Sequence, residues 1–319
     1  MNLKDEKERK LVREFLTFAN DILKIKSTEL LEKDFYLTIF LSEMENENLI
    51  FKGGTCLAKV YLNYHRFSED LDFTWKNQEI FKNKTMKQIR KICSGLINEV
   101  GIRIRNISEK YGFDFEFEKN NRDYVEIGGS SKIVTFKVWY LSVLTEIKSF
   151  FKIQINFLEN IEFQIKRKKL NNLIKESSFS ENERKYFKEF LDLCRVAPAY
   201  NIYDIDEIVC EKIRSILTRR GMKTRDVLDL YLIKKNFGID FEKIKHICEE
   251  KIVFSIRMYE KYKENFNKID KITKEELSAE SIEHLLLTEI DENDFENFLE
   301  DLSFLLNGLI MQIKSDEQR

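Results

Sequence analysis

Two short motifs early in the chain carry the residue types that phosphate and metal chemistry require. The first is the pair Gly53 and Gly54 followed by Thr55, and the second is the D-x-D pair Asp70 and Asp72. Glycines let backbone amides approach an anion closely, and a threonine that opens a helix adds a hydroxyl and the positive end of the helix dipole. Carboxylates at alternate positions of a strand point to the same side, where Mg²⁺ would remove their mutual repulsion. Together the motifs predict phosphoryl or nucleotidyl transfer.

The segments around these motifs predict a helix between them. The stretch TCLAKVYLNYH has helical composition, and EDLDFTW alternates as a strand does. A helix of about ten residues that doubles back through YHRF would bring the glycine turn and the carboxylates together. Further helices are predicted over residues 6–45 and 79–111. The predicted strands are 113–118, 133–141 and 150–158, with Gly128–Gly129 as a hairpin turn.

The second half of the chain has helical periodicity. Strand patterns stop after about residue 165, and from residue 204 onward nearly every segment repeats its apolar residues at helical spacing. Asp204 and Glu207 are spaced as a capping box before an apolar stripe. The stripe consists of Ile208, Val209, Ile213, Ile216 and Leu217. These patterns predict an α+β protein, with a small mixed sheet and flanking helices in residues 1–165 and a mainly helical domain in residues 166–319.

The composition narrows the classes of function. The chain has 319 residues, a formal net charge of −2, one proline and ten glycines, which favours a helix-rich protein without a global attraction to nucleic acid. Five widely spaced cysteines and three histidines predict buried thiols rather than a zinc site. The charged N-terminal segment is unlike a signal peptide, and no run is long and apolar enough to cross a membrane. We therefore expect a cytoplasmic protein.

Two separated segments resemble a known family. GGTCLAKVY…HRFSEDLDF closely resembles the opening motif of the AbiEii/AbiGii nucleotidyltransferase-like toxins, which belong to the DNA polymerase β-type nucleotidyltransferase superfamily. Residues 207–233, EIVCEKIRSILTRRGMKTRDVLDLYLI, resemble the helical K…R…R-D-x-x-D-L segment of these toxins. The resemblance implies a polymerase β-type nucleotidyltransferase domain in residues 1–165, followed by a helical domain that contributes a lysine and a late aspartate to the site.

In the first segment the resemblance implies a nucleotide site with bound metal. Asp70 and Asp72 would bind Mg²⁺ and carry the catalysis. The residues that would hold or approach the triphosphate are Gly53, Gly54, Thr55, Arg66 and Ser68.

In the second segment the resemblance implies a cationic contact to the same nucleotide. Lys212 and Arg225 would bind the phosphates, and Asp226 would act as a base or as the partner of the lysine, with Asp229 beside it. The residues alone leave other interpretations open, because a lysine on an amphipathic helix is usually solvated. Arg225 is also spaced to form an ordinary ion pair with Asp226 or Asp229.

One position departs from the superfamily pattern. Many polymerase β-type enzymes carry a third carboxylate on a later strand, and the matching place in KIQIN (152–156) has Gln154. An amide is neutral and cannot act as a base. The third carboxylate is therefore absent or comes from elsewhere, such as Asp226, which leaves the number of bound metal ions open.

The resemblance implies transfer of a nucleotide from an NTP, with GTP as one preference, to a hydroxyl of RNA, tRNA especially. It also implies a toxin of a type IV toxin–antitoxin or phage-defence pair, with a separately encoded antitoxin. The basic residues 166–169 and 219–225 would bind RNA phosphates or form solvated surface. Two alternatives stay open: a non-catalytic NTP-binding module, and a nucleotidyltransferase that modifies a protein or a small molecule.

Overall fold

The computed structural model describes residues 1–281 and 283–317, which form two compact units. Unit 1 comprises Met1–Glu159 and Lys166–Ile202, and unit 2 comprises residues 160–165 and the described chain from Tyr203 onward. The α+β class is confirmed, because unit 1 contains a mixed sheet and unit 2 is helical. The division differs from the boundary predicted at residue 165, because two further strands follow that residue and complete the sheet of unit 1.

The sheet of unit 1 has seven strands in the order β3-β4-β5-β2-β1-β7-β6. Strand β2 lies at its centre, antiparallel to β1 and parallel to β5. The strands are β1 Leu49–Lys52, β2 Leu71–Trp75, β3 Val125–Gly128, β4 Ile133–Leu141, β5 Lys148–Asn156, β6 Lys166–Lys169 and β7 Ala199–Ile202. The expectation that strands stop after residue 165 is therefore wrong. Strand β6 consists of four exposed basic residues, so it has no apolar alternation that would reveal it.

Of the three strands predicted near the middle of the chain, two are present and one is not. Strand β4 has the predicted bounds, β5 begins two residues earlier than predicted, and Gly128–Gly129 lies in a hairpin between β3 and β4. The strand predicted over 113–118 is wrong. Only Asp114 in that stretch makes a bridge, to Trp139, while β3 pairs with Ile133 to Phe136 of β4. Phe113 and Phe115 are buried, so the alternation reflects packing without pairing.

Helices cover the sheet of unit 1 where the sequence predicts them in residues 6–45 and 79–111. Capping fixes their ends: the Asp5 side chain accepts from the first-turn amides of α1, and Thr85 and Gln88 form a capping box on α4. The helices are α1 Glu6–Leu23, α2 Thr28–Glu43, α3 Gly53–Cys56, α4 Met86–Tyr111, α5 Glu181–Tyr186 and α6 Lys188–Arg195, with a π-helical segment over Leu57–Tyr61.

Aromatic side chains join α2 to one face of the sheet. The Phe40 ring lies 5.1 Å from that of Phe151 on β5, and the Tyr200 hydroxyl donates to the Leu41 carbonyl at 2.7 Å. Phe73 on β2 lies on the same face. Because side chains alternate along a strand, the neighbours of Phe73 and Phe151 point to the opposite face. Asp72 is one of them, so burial of the core face fixes the side of the sheet that carries the carboxylates.

A buried ion pair anchors the segment that follows the glycine turn. The Lys59 ammonium is fully buried, 2.9 Å from the Asp34 carboxylate and 3.0 Å from the Thr38 hydroxyl. The Tyr64 hydroxyl donates to Asp34 at 3.1 Å, although the Tyr64 backbone is left-handed, with φ of 63°. These contacts hold a strained tyrosine where the chain turns back towards β2.

The regular structure of unit 2 is helical. Its helices are α7 Ile205–Thr218, α8 Thr224–Phe237, α9 Lys245–Met258, α10 Glu260–Asn267, α11 Lys274–Leu277 and α12 Glu292–Glu317. The apolar stripe predicted on α7 is buried, and the five cysteines of the chain are free and buried as predicted. Among the described residues, no helix combines the length and apolarity that crossing a bilayer would need.

The capping box predicted at the start of α7 is wrong. The Asp204 side chain caps the helix, but it accepts from the Asp206 amide rather than from Glu207. The Glu207 carboxylate is buried, where it pairs with Lys251 and accepts from the Phe163 amide at 2.8 Å. A long-range buried cation thus outcompetes the local cap that the spacing suggests.

We predict that Lys59→Met destabilises unit 1 by about 3–5 kcal/mol, because it leaves the Asp34 carboxylate buried without its cation. Urea unfolding followed by circular dichroism measures the effect. The matched control is Lys185→Met, which breaks an exposed pair with Glu181 and should leave the unfolding midpoint unchanged. Equal midpoint shifts in the two variants would contradict the role of the buried pair.

Candidate active site

The glycine turn lies directly against the second carboxylate. Gly53 follows β1 with a left-handed φ of 74°, and a Cβ built there would overlap the Asp72 carboxylate and lie 2.9 Å from Asp72 Cβ. A Cβ on Gly54 would lie 2.7 Å from Arg66 Nη2 and 2.9 Å from Ser68 Oγ. The structure therefore brings the two predicted motifs together. Glycine is required at Gly53 for its backbone conformation and for space, and a side chain on Gly54 would displace the ends of Arg66 and Ser68.

The chain between the motifs folds back as predicted. Helix α3 runs into the π-helical segment, and left-handed residues Asn63 and Tyr64 then reverse the chain. The Thr55 hydroxyl is buried and donates to the Asp70 carbonyl at 2.5 Å, so it joins the turn to the carboxylate strand. What Thr55 can offer a phosphate is therefore its backbone N–H. Arg66 is also buried and donates to the Phe67 carbonyl at 2.6 Å.

The two carboxylates occupy a partly buried, electrostatically strained position. Burial raises the pKa of Asp70, and the charge of Asp72 raises it further. The Lys152 side chain and its backbone N–H both act in the opposite direction, and this N–H donates to Asp70 Oδ1 at 3.0 Å. A bound cation would relieve this repulsion.

The donor set fits a hard divalent cation. Both carboxylates are only partly covered, and Asp70 Oδ2 makes no hydrogen bond or ion pair within the described residues. Carboxylate oxygens are the ligands that Mg²⁺ prefers. The missing Cβ of Gly53 leaves the Asp72 carboxylate room beside the turn. Asp70 and Asp72 are thus the residues that would hold the metal.

Gln154 lies on the strand next to the one that carries the two carboxylates. Strand β5 runs parallel to β2, and Gln154 lies directly opposite Asp72 in the pairing register. Residues opposite each other on neighbouring strands point to the same face. An amide therefore stands beside the carboxylate pair.

Unit 2 holds three residues of the second predicted set, Lys212, Asp226 and Asp229, in one cluster. The Lys212 ammonium lies 2.8 Å from Asp226 and 2.6 Å from Asp229, and Arg219 lies 3.5 Å from Asp226. Lys212 and both aspartates are buried. A solvated surface position for Lys212 is therefore excluded, and Asp226 is the partner of the lysine.

Arg225 does not join this cluster. It makes no ion pair with any described residue, so the predicted pairs with Asp226 and Asp229 do not form. The contact of Lys212 and Arg225 with a nucleotide stays a prediction, as does the use of Asp226 as a base.

The comparison with protein families decides the identity. Residues 39–308 match the family described as "Nucleotidyl transferase AbiEii toxin, Type IV TA system". The chain belongs to the AbiEii nucleotidyl transferase toxin family. It is therefore a nucleotidyltransferase, as the motifs predict, and its family is one of toxins that are paired with an antitoxin.

Comparison with individual proteins adds little to the AbiEii assignment. No curated protein matches the chain. Two solved Helicobacter pylori structures are similar, each with 14% sequence identity. For JHP933 the match covers 92% of this chain and 96% of that chain, with a TM-score of 0.40. For a candidate nucleotidyltransferase it covers 91% of this chain and 98% of that chain, with a TM-score of 0.43.

Sequence reasoning missed two features of this AbiEii-family site. Lys152 approaches Asp70, and the alternation K-x-Q on the strand beside D-x-D was the signal that could have indicated it. The Lys59–Asp34 pair was also missed. A charged residue within the otherwise apolar stretch LAKVY was its only local sign.

We predict that Gly53→Ala weakens metal-dependent NTP binding of this family member by about 10–100-fold, the usual effect of misplacing a metal ligand. The added methyl group would displace the Asp72 carboxylate. Equilibrium dialysis with labelled NTP and Mg²⁺ measures the affinity. Gly128→Ala is the control, because its Cβ meets no atom within 4 Å and its φ is −124°. Unchanged binding in both variants would contradict the predicted steric role.

We also predict that Lys212→Met destabilises unit 2 by about 3–5 kcal/mol, because two buried carboxylates lose their shared cation. Lys234 on α8 forms an exposed pair with Asp301 on α12, and Lys234→Met, which removes this pair, serves as the control. Chemical denaturation compares them. A Lys212→Met protein as stable as wild type would show that the cluster is not held by this charge. Loss of activity in that variant is informative only if the protein remains folded.

Proposed function

We propose that this AbiEii-family enzyme transfers a nucleotide from an NTP, with Mg²⁺ at Asp70 and Asp72, to a hydroxyl group of RNA. The observation that carries the proposal is the contact between the glycine turn and the carboxylates, because it offers phosphate-binding amides beside metal-binding oxygens. A tRNA is the first acceptor to test and GTP the first donor. The biological role would be that of a cytoplasmic toxin in a type IV or phage-defence pair with a separately encoded antitoxin.

The proposed reaction assigns a separate task to each group in unit 1. The acceptor oxygen attacks the α-phosphorus, the bond to the bridging oxygen of the β-phosphate breaks, and pyrophosphate leaves while the hydroxyl proton passes to solvent. The amides of Gly53 and Gly54 would bind phosphate oxygens, with Arg66 and Ser68 beside them. Mg²⁺, when bound, supplies positive charge to the phosphates and favours the ionised acceptor hydroxyl.

An RNA acceptor is supported by exposed positive charge on unit 1. All four residues of β6, Lys166–Lys169, are exposed on an edge strand of the sheet. Arg167 pairs with Glu45, and the three lysines of the strand are exposed at the surface. A polyanionic acceptor gains affinity from such a row by releasing counterions. A small-molecule acceptor would gain little from it.

We predict that Asp70→Asn and Asp72→Asn each lower nucleotide transfer by at least about 10²-fold, the usual cost of losing one electrostatic stabiliser of the transition state. Wild type and variants are incubated with each α-³²P-NTP, Mg²⁺ and total bacterial RNA, and the products are separated on denaturing gels. Asp123→Asn, an exposed carboxylate on the same unit, should transfer as wild type does.

Each gel result has a distinct meaning. Label in an RNA band with wild type and Asp123→Asn alone supports the proposal and identifies both the nucleotide and the acceptor. Label in a protein band would overturn the RNA acceptor but keep the chemistry. Tight NTP binding without transfer to RNA, protein or small molecules would contradict the proposed reaction and indicate a binding module.

A further inference from the structure

The strand beside the carboxylates carries no third acid. Gln154 lies opposite Asp72, and the only hydrogen bond of its side chain within the described residues is a long one, 3.5 Å, from the Thr135 hydroxyl. Across residues 1–281 and 283–317, no three His, Cys, Asp or Glu side chains are grouped so that they could hold one metal ion. The site therefore has two carboxylates and a neutral amide.

The same strand instead supplies a cation. Lys152 is two residues before Gln154, so its side chain shares the face that carries Asp72. Its ammonium makes no ion pair with any described carboxylate, and it lies 5.8 Å from the Phe150 ring. Its backbone N–H is bonded to Asp70 Oδ1, which fixes the start of the side chain beside that carboxylate. Lys152 therefore places an ammonium group that has no ion-pair partner among the described residues next to the candidate metal ligands.

The charge of this arrangement equals that of a two-metal site. Three carboxylates with two divalent cations carry one net positive charge. Two carboxylates, one divalent cation, one amide and one ammonium also carry one net positive charge. A triphosphate would therefore meet the same net charge in both cases. A second divalent cation here would instead add two positive charges beside an ammonium, without a carboxylate to offset them.

We propose that this enzyme binds its nucleotide with one divalent cation, held by Asp70 and Asp72, and that the Lys152 ammonium and the Gln154 amide occupy the place of the second cation and the third carboxylate. The inference rests on the proposed nucleotide site. In this arrangement Lys152 contacts phosphate oxygens as a fixed charge, and Gln154 donates its amide N–H to a phosphate or acceptor oxygen.

The test counts metal ions per bound nucleotide. Wild-type protein is dialysed to equilibrium against Mn²⁺ and α,β-methylene GTP, which cannot be cleaved between its α- and β-phosphates. Manganese and phosphorus bound in excess of the buffer compartment are then counted by mass spectrometry. The expected ratio is one Mn²⁺ to three phosphorus atoms. A ratio of two to three overturns the proposal while the nucleotide site stands, and absence of bound nucleotide overturns both.

A variant of Lys152 tests the proposed contact between its ammonium and the nucleotide. Lys152→Met should weaken nucleotide binding by about 10–100-fold, the usual contribution of a charged hydrogen bond, and keep the ratio at one to three. Lys148→Met is the control, because this lysine lies on the same strand but pairs with Asp114. Equal affinity in the two variants overturns the assignment of Lys152.

The double variant Lys152→Met/Gln154→Glu restores the three-carboxylate charge pattern and should bind two Mn²⁺ per nucleotide. Lys152→Met/Gln154→Leu has the same loss of the lysine without the new acid, and it should bind one. Thermal unfolding by circular dichroism confirms that each variant is folded. Identical counts in these two folded variants would show that position 154 does not control the number of metal ions.

Discussion

The contact between Gly53 and Asp72 is the constraint on which the rest of unit 1 depends. No side chain fits between them, and the left-handed backbone of Gly53 directs the chain from β1 into α3 at that point. The contact forms only if the chain returns after the helix to place β2 beside β1. The Lys59–Asp34 pair and the Thr55 hydroxyl both hold this return in place. Buried charges of the fold thus support the geometry of the site.

Unit 1 and unit 2 balance buried charge in different ways. In unit 2 the Lys212 ammonium lies between Asp226 and Asp229, and Glu207 pairs with Lys251, so each of these three buried acids has a protein cation. In unit 1 Asp70 and Asp72 share one face of β2, and burial together with their repulsion raises the pKa of Asp70. A protein rarely retains such a pair without a ligand that offsets the charge. Two carboxylates on one face of a strand, in contact with the glycine turn, distinguish the candidate active site from the structural ion pairs.

The sequence predicted the parts of the fold that rest on local signals. Alternation identified β2 and β4, and glycine spacing with D-x-D identified the site, because each depends on neighbouring residues. Strand β6 was missed since its four basic residues face solvent, and Glu207 was misassigned since its cation lies far along the chain at Lys251. The register places Gln154 opposite Asp72, while its match to a third carboxylate position stays a prediction. The contribution of Lys152 depends on that same long-range pairing, because the K-x-Q alternation places this lysine beside D-x-D only when β5 pairs with β2.

The most direct test of the central claim is the coupling between a bound metal ion and the phosphates. Mn²⁺ is added to the wild-type protein with α,β-methylene GTP, and the ³¹P hyperfine coupling is measured by electron–nuclear double resonance. The account predicts a ³¹P coupling from protein-bound Mn²⁺ that disappears in Asp70→Asn/Asp72→Asn. A protein-bound signal of the same strength in that double variant would show that the carboxylates do not hold the metal at the nucleotide, and it would contradict the account.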